Sequence, residues 1–226
     1  MENRIYQVEL TNFCNAKCEF CPYMKMTRKK GWMRLETVRK IIKKIKGKQK
    51  YIALHHFGEP LLHSSLFHII RMFDEAGIKC EFSTNGGLLT DGKIQELISS
   101  PLKRLRIGMD YFNPIKQVEK LLKKNKSIDI RLHTVRGNLP YEKKPFDNFA
   151  GQVEGKSEWE KGECYFKKYN YFVVLWTGEI VPCCCDYDGK NILGTIDNFD
   201  KVKHKDYEMC KDCPGYQFAE KGEWEK

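Results

Sequence analysis

From Ile5 to Thr134, apolar runs of strand length alternate with amphipathic stretches at helical spacing, and this alternation leaves the chain few architectures. The strand-like runs are Ile5–Leu10, Tyr51–His56, Ile78–Ser83, Leu105–Met109 and Ile128–Thr134. Between them Leu35, Val38, Ile41, Ile42 and Ile45 recur as one helical face. Leu66, Phe67, Ile69, Ile70 and Phe73 make a second, Ile94, Leu97 and Ile98 a third, and Val118, Leu121 and Leu122 a fourth. Ser64 and Thr90 stand where N-caps belong, Asn113-Pro114 opens the fourth helix, and Gly47 and Gly77 follow the first two. Five strands alternating with four helices predict a parallel α/β sheet with right-handed crossovers. In such sheets chemistry gathers at the carboxyl ends of the strands.

Every polar loop of interest lies at one of those ends. The first strand runs into Cys14-Asn15-Ala16-Lys17-Cys18-Glu19-Phe20-Cys21. Three thiolates this close can hold three corners of one metal centre and leave a fourth open, whereas iron–sulfur clusters usually take four thiolates. A zinc knuckle is the alternative reading of the same residues. The second strand ends in Gly58-Glu59-Pro60, the third in Ser83-Thr84-Asn85-Gly86, the fourth at Asp110, and Arg136 follows the fifth. His55, His56 and His133 lie near strand ends, where an imidazole serves either proton transfer or packing.

Alternation stops near Gly137, and the chain divides into a core, 1–140, and a second unit, 141–226. In the second unit Phe172–Trp176 and Glu179–Val181 read as a β-hairpin around Thr177-Gly178. It leads into Pro182-Cys183-Cys184-Cys185-Asp186, and Cys210 and Cys213 form a late C-x2-C. On an extended segment adjacent side chains point to opposite sides, so Cys183, Cys184 and Cys185 are not expected to face one metal together. Cys80 reads as a buried strand cysteine.

The C-x3-C-x2-C loop with an aromatic before its last cysteine resembles the radical S-adenosylmethionine (SAM) superfamily. The resemblance runs from about Val8 to Cys213 and implies a partial (β/α) barrel of five to six parallel strands. It implies a 4Fe–4S cluster on Cys14, Cys18 and Cys21, with SAM on the open iron. The SAM site so implied includes Phe20, Gly58, Glu59, Pro60, Ser83, Thr84, Asn85, Asp110 and Arg136. Relatives often carry Gly-Gly-Glu-Pro where this chain has Phe57-Gly58-Glu59-Pro60, and a serine where it has Gly108. The tail resembles the shorter "twitch" form of the SPASM extension. That implies an auxiliary 4Fe–4S cluster on Cys164, Cys183, Cys210 and Cys213, with Cys184 as the alternative to Cys183. A structural zinc site takes the same four ligands.

The activity implied by the resemblance is reductive cleavage of SAM, with electrons from an external one-electron donor such as flavodoxin or ferredoxin. A 5′-deoxyadenosyl radical then takes hydrogen from a substrate C–H bond. Two substrate classes stay open: a small polar molecule undergoing net oxidation, with the auxiliary cluster as electron acceptor, or a peptide being modified. A third reading is a zinc-stabilised, nucleic-acid-binding protein, suggested by the formal charge of +10. Against it, 31 of the 40 basic residues are lysines spread along the chain, the pattern of solvated helix faces. No apolar run approaches the length of a membrane span and the first residues lack a signal-peptide core, so a cytoplasmic location is expected. In a reducing compartment ten cysteines serve as ligands or redox groups rather than disulfides.

Overall fold

The computed structural model describes residues 2–135, the backbone of 142–143, and residues 149–150 and 162–213. Among these, nine strands form one sheet in the order β6-β5-β4-β3-β2-β1-β7-β8-β9. The expected alternation is present: β1 Arg4–Val8, α1 Leu35–Ile45, β2 Tyr51–Ala53, α2 Leu66–Glu75, β3 Lys79–Thr84, α3 Asp91–Ile98, β4 Arg104–Gly108, α4 Ile115–Lys124 and β5 Asp129–Thr134. The pairings from β1 through β6 (Glu142–Lys143) are parallel. Thr90 caps α3, its hydroxyl accepting the Lys93 N–H. At α2 the residue before the first turn is Ser65 rather than Ser64, and it makes no side-chain cap. β2 stops at Ala53, three residues short of expectation, so His55 and His56 lie in the loop beyond it.

The hairpin continues the same sheet. A short helix, α5 (Tyr165–Tyr169), precedes β7 (Tyr171–Val174), and β7 pairs parallel with β1 in the same sheet. β8 (Glu179–Val181) and β9 (Gly194–Thr195) then continue it antiparallel. β7 is buried along its whole length because it packs on both faces. Phe172 and Val174 join the helix-side core with Ile5, Val8, Ile41, Phe82 and Leu105. Tyr171 and Val173 join a second cluster on the opposite face with Phe166, Cys184 and Cys185, against which Tyr6 of β1 packs. A cysteine-bearing segment is thereby anchored to the strand that launches the first cysteine loop.

The basic stripe of α1 is partly spoken for. Lys40 pairs with Asp197 at 3.0 Å and Lys44 with Asp200, both from the 3-10 segment Ile196–Lys201. Exposed pairs of this kind add little stability, but they reduce the cationic surface that the helix offers to an anionic partner. No helix among the described residues is long and apolar enough to cross a membrane.

Candidate active site

At the carboxyl ends of β1 to β5 lies a cavity of about 180 Å³, lined by Cys14, Cys18, Phe20 and Cys21 from the first loop. His55, His56, Gly58 and Glu59 follow from the second, Ser83, Thr84 and Asn85 from the third, Gly108, Asp110 and Tyr111 from the fourth, and His133 and Val135 from the fifth. Five loops far apart in sequence thus meet at one point, as parallel strands dictate. A larger cavity of about 350 Å³ opens at the other end of the strands, between Arg4, Tyr6, Lys48, Gln49, Tyr51 and Tyr171. Among the described residues that line it there is no thiol, carboxylate or imidazole, whereas the smaller cavity gathers all three.

Local hydrogen bonds explain how the thiols are held. The Cys14 N–H donates to the Tyr23 hydroxyl at 3.1 Å, and Lys30 Nζ donates to the same oxygen at 2.7 Å. Asn85 Nδ2 donates to Asn15 Oδ1 at 2.8 Å and reaches Cys14 Sγ at 3.8 Å. The three thiols are half-buried. Burial pushes Cys14 above the ordinary thiol range and Cys21 up to about 12. A metal centre bound here therefore displaces protons from neutral thiols. Among the described residues, no group of three or more His, Cys, Asp or Glu side chains is arranged to hold a single metal ion. A polynuclear cluster asks for something else: thiols set apart around one rim, each taking its own iron. Three thiols on the rim of a cavity that has room beside them fit a cluster with one iron left for a ligand.

The Gly58-Glu59-Pro60 turn proves to be a brace. Gly58 has φ +117°, and a Cβ there would lie 2.3 Å from the Thr11 carbonyl oxygen and 2.9 Å from the Asn12 Cα. Glu59 is 1% exposed, and its carboxylate accepts from the Leu61 N–H at 3.0 Å, the Thr84 hydroxyl at 2.8 Å and the Asn85 N–H at 2.8 Å. Its own N–H donates to the Phe13 carbonyl at 2.8 Å. One residue thus ties the loops after β1, β2 and β3 together. Burial raises its pKa to about 7, while those hydrogen bonds pull the other way. Pro60 is buried at the start of a 3-10 turn and is not among the lining residues. Asp110 is a second brace, accepting the Thr134 hydroxyl at 2.6 Å and the Val135 N–H at 2.9 Å across the ends of β4 and β5. Arg136 lies outside the described residues.

Because Gly58 combines a left-handed φ with backbone in its Cβ path, Gly58→Ala forces the turn away from the Thr11–Phe13 loop. The expected result is a folded chain that fails to retain iron on the first three cysteines, read as lost visible absorbance after anaerobic reconstitution.

The imidazoles are set differently from one another. His55 accepts the Ser83 N–H on Nδ1 at 3.2 Å, and its Nε2 lies 3.4 Å from both the Gln7 amide nitrogen and the Ser83 hydroxyl. His56 is held well below the ordinary imidazole range by burial, with the Arg28 charge adding to the effect, and its buried Nε2 has no hydrogen-bond partner among the described residues. It is a neutral ring at the cavity wall.

The second thiol group also assembles. Cys164, Cys183 and Cys213 pack with buried Cys184 and Cys185 in the cluster on the inner face of β7. Cys210 lies close by, near Lys167 and Tyr207, which also neighbour Cys164 and Cys183 respectively. The stretch after β8 is not the extended segment expected from its sequence. It turns, the Asp186 N–H reaching back to the Cys183 carbonyl at 3.4 Å, and this brings Cys185 within hydrogen-bonding reach of Cys183, Cys184 and Cys213. Sequence reasoning did not expect Cys185 to face the same side as Cys183, and the turn places it among the other thiols. The C-C-C run itself was the only available signal, and its meaning depended on the turn.

A parallel α/β sheet whose first loop carries three thiols beside a cavity at the strands' carboxyl ends defines a class, and the chain belongs to it: residues 8–137 match the Radical SAM superfamily. Its relatives include the AdoMet-dependent heme synthase of Methanosarcina barkeri, 29% identical over 49% of this chain and 32% of that protein. Another is the tungsten-containing aldehyde ferredoxin oxidoreductase cofactor-modifying protein of Pyrococcus furiosus, 30% identical over 46% of this chain and 30% of that one. The chain therefore spans about a third of the length of these curated relatives. Among solved structures it is similar in fold to BtrN in complex with AdoMet and 2-DOIA, with a TM-score of 0.70 and 21% identity over 88% of this chain and 80% of BtrN. It is similar also to anSMEcpe with bound AdoMet, with a TM-score of 0.62 and 17% identity over 92% and 85% of the two chains.

Proposed function

We infer that this protein is a radical SAM enzyme that oxidises a small polar molecule by two electrons. The observation that carries the reading is the pair of separate thiol groups, one beside the cavity and one on the inner face of β7. Cys14, Cys18 and Cys21 would hold the first 4Fe–4S cluster, leaving one iron for SAM. Cys164, Cys183, Cys210 and Cys213 would hold the auxiliary one. When bound, the first cluster and SAM supply a one-electron reductive cleavage that yields a 5′-deoxyadenosyl radical, with the electron arriving from a donor such as flavodoxin or ferredoxin. The chain's own work is placement and exclusion. Glu59 and Asp110 keep the five loops in register, Gly58 lets backbone approach the cluster loop, and Asn85 donates toward Cys14. His56 contributes a buried, neutral ring to the cavity wall. With Cys164, Cys183, Cys210 and Cys213 as four protein ligands, a cluster held there would have no iron open to substrate and would supply electron transfer.

The second reading, a peptide-modifying enzyme, uses the same parts. It is favoured by the fold likeness to Streptococcus suis SuiB bound to precursor peptide SuiA, with a TM-score of 0.57 and 12% identity over 89% of this chain and 64% of SuiB.

Iron, sulfide and zinc per chain after anaerobic reconstitution test the assignment. About eight irons with little zinc is the expected result, and Cys213→Ala is expected to lower it by about four while SAM cleavage persists. About four irons plus one zinc removes the internal electron acceptor, and zinc alone overturns the enzyme. Products separate the two substrate classes: a small molecule lighter by two hydrogens, or a modified peptide.

A further inference from the structure

The geometry points to Asp188 as the residue that fixes the two thiol groups relative to each other, a positioning role for a side chain no motif includes. The inference rests on the two-cluster reading above. β8 runs antiparallel to β7, so the chain leaves Val181 heading toward the amino ends of the strands, away from the cavity, and enters the Cys183–Cys185 turn. Within three residues of Cys185 it is back beside the segment that follows Cys21. There the Asp188 carboxylate, 8% exposed, accepts the Thr27 N–H and the Thr27 hydroxyl, each at 2.6 Å, and the Arg28 N–H at 3.1 Å. Arg28 extends the latch. Its Nε donates to the Tyr187 carbonyl at 2.8 Å, and its guanidinium grips both oxygens of Glu9, which is fully buried five residues before Cys14. Glu9 in turn accepts the Trp176 N–H at 3.3 Å from the hairpin turn. Three charged side chains therefore join the strand before the first cysteine loop, the connector after it and the turn carrying the second thiol group. Hydrogen bonds to an ionised acceptor are the strong kind, and three on one carboxylate define a position rather than a loose contact.

The test compares Asp188→Ala with Asp188→Asn, because the asparagine amide retains an acceptor for the backbone N–H groups and a donor for the Thr27 hydroxyl. In the reconstituted full chain Asp188→Ala is expected to bind as much iron as the parent. Pulsed electron paramagnetic resonance should then show a weakened, broadened magnetic coupling between its two reduced clusters, and Asp188→Asn should restore the parent coupling. An unchanged coupling in Asp188→Ala, or iron lost from it, overturns the proposal. Amide exchange in the iron-free chain gives a readout independent of the clusters. Asp188→Ala is expected to speed exchange across Cys14–Cys21 about tenfold or more, and unchanged exchange there overturns the latch. A parent chain that takes only about four irons overturns the two-cluster reading instead, and the exchange result then decides the latch alone.

Discussion

Alanine at Cys18 is expected to abolish SAM cleavage and to lower bound iron by about four per chain while the polypeptide stays folded. Two thiols cannot hold a cuboidal cluster against loss, and without it no electron reaches the cofactor site. The fold survives because the helix-side core is built from Ile, Leu, Val and Phe on the strands and helices, and none of the three loop cysteines belongs to it. Cys80 supplies the contrast. It is buried among those core side chains, so Cys80→Ala is expected to leave iron and cleavage intact and to cost stability instead, about 1 kcal/mol for the lost packing. Iron content, 5′-deoxyadenosine formation and thermal melting of the two variants side by side check the pair. A Cys18→Ala chain that still cleaves SAM would overturn the assignment of the first loop.

Arg28→Ala is expected to carry a large stability loss. The Glu9 side chain has no exposure, and the Arg28 side chain is only 13% exposed. Removing one partner of such a pair leaves a buried charge and typically costs about 3–5 kcal/mol, a large share of the total stability of an ordinary domain. The loss carries a pH signature. Burial already raises the Glu9 pKa, with Arg28 opposing that rise, so removing the guanidinium raises it further. A carboxyl whose folded pKa lies above its unfolded value holds its proton more tightly when folded. Its unfavourable contribution is absent at low pH and grows as pH climbs from the ordinary carboxylate range through the folded value. Arg28→Ala should therefore be most destabilised at neutral and higher pH and partly recover near pH 5. Urea melts across that range check it, and a pH-independent loss would mean that packing by the Arg28 stem, not charge, was what mattered.

How much could be read in advance varied by element. The five strands and four helices were legible because burial on the helix side imposes a period on the sequence, and Phe82, Leu105 and Ile107 obey it in the structure. The C-x3-C-x2-C loop was legible because cluster ligands must be near neighbours. What Glu59 and Asp110 do was not. Each was singled out as a cofactor-site residue, and each also braces loops 25 residues or so along the chain, a role that depends on which strand ends lie side by side. The hairpin was recognised as a hairpin, yet its parallel pairing with β1 left no trace in its own pattern. A strand buried on both faces shows a continuous apolar run that fits many neighbours. Cys185 and Asp188 were hidden for the same kind of reason: their partners, Cys213 and Thr27, are distant in sequence and are chosen by a turn whose backbone path no local propensity dictates. Local chemistry along the chain thus determined the alternating elements, the first thiol loop and the residue types at the strand ends. Only the tertiary structure decided which loops meet, because long-range pairing is selected by the combined burial of all the strands and not by any one of them.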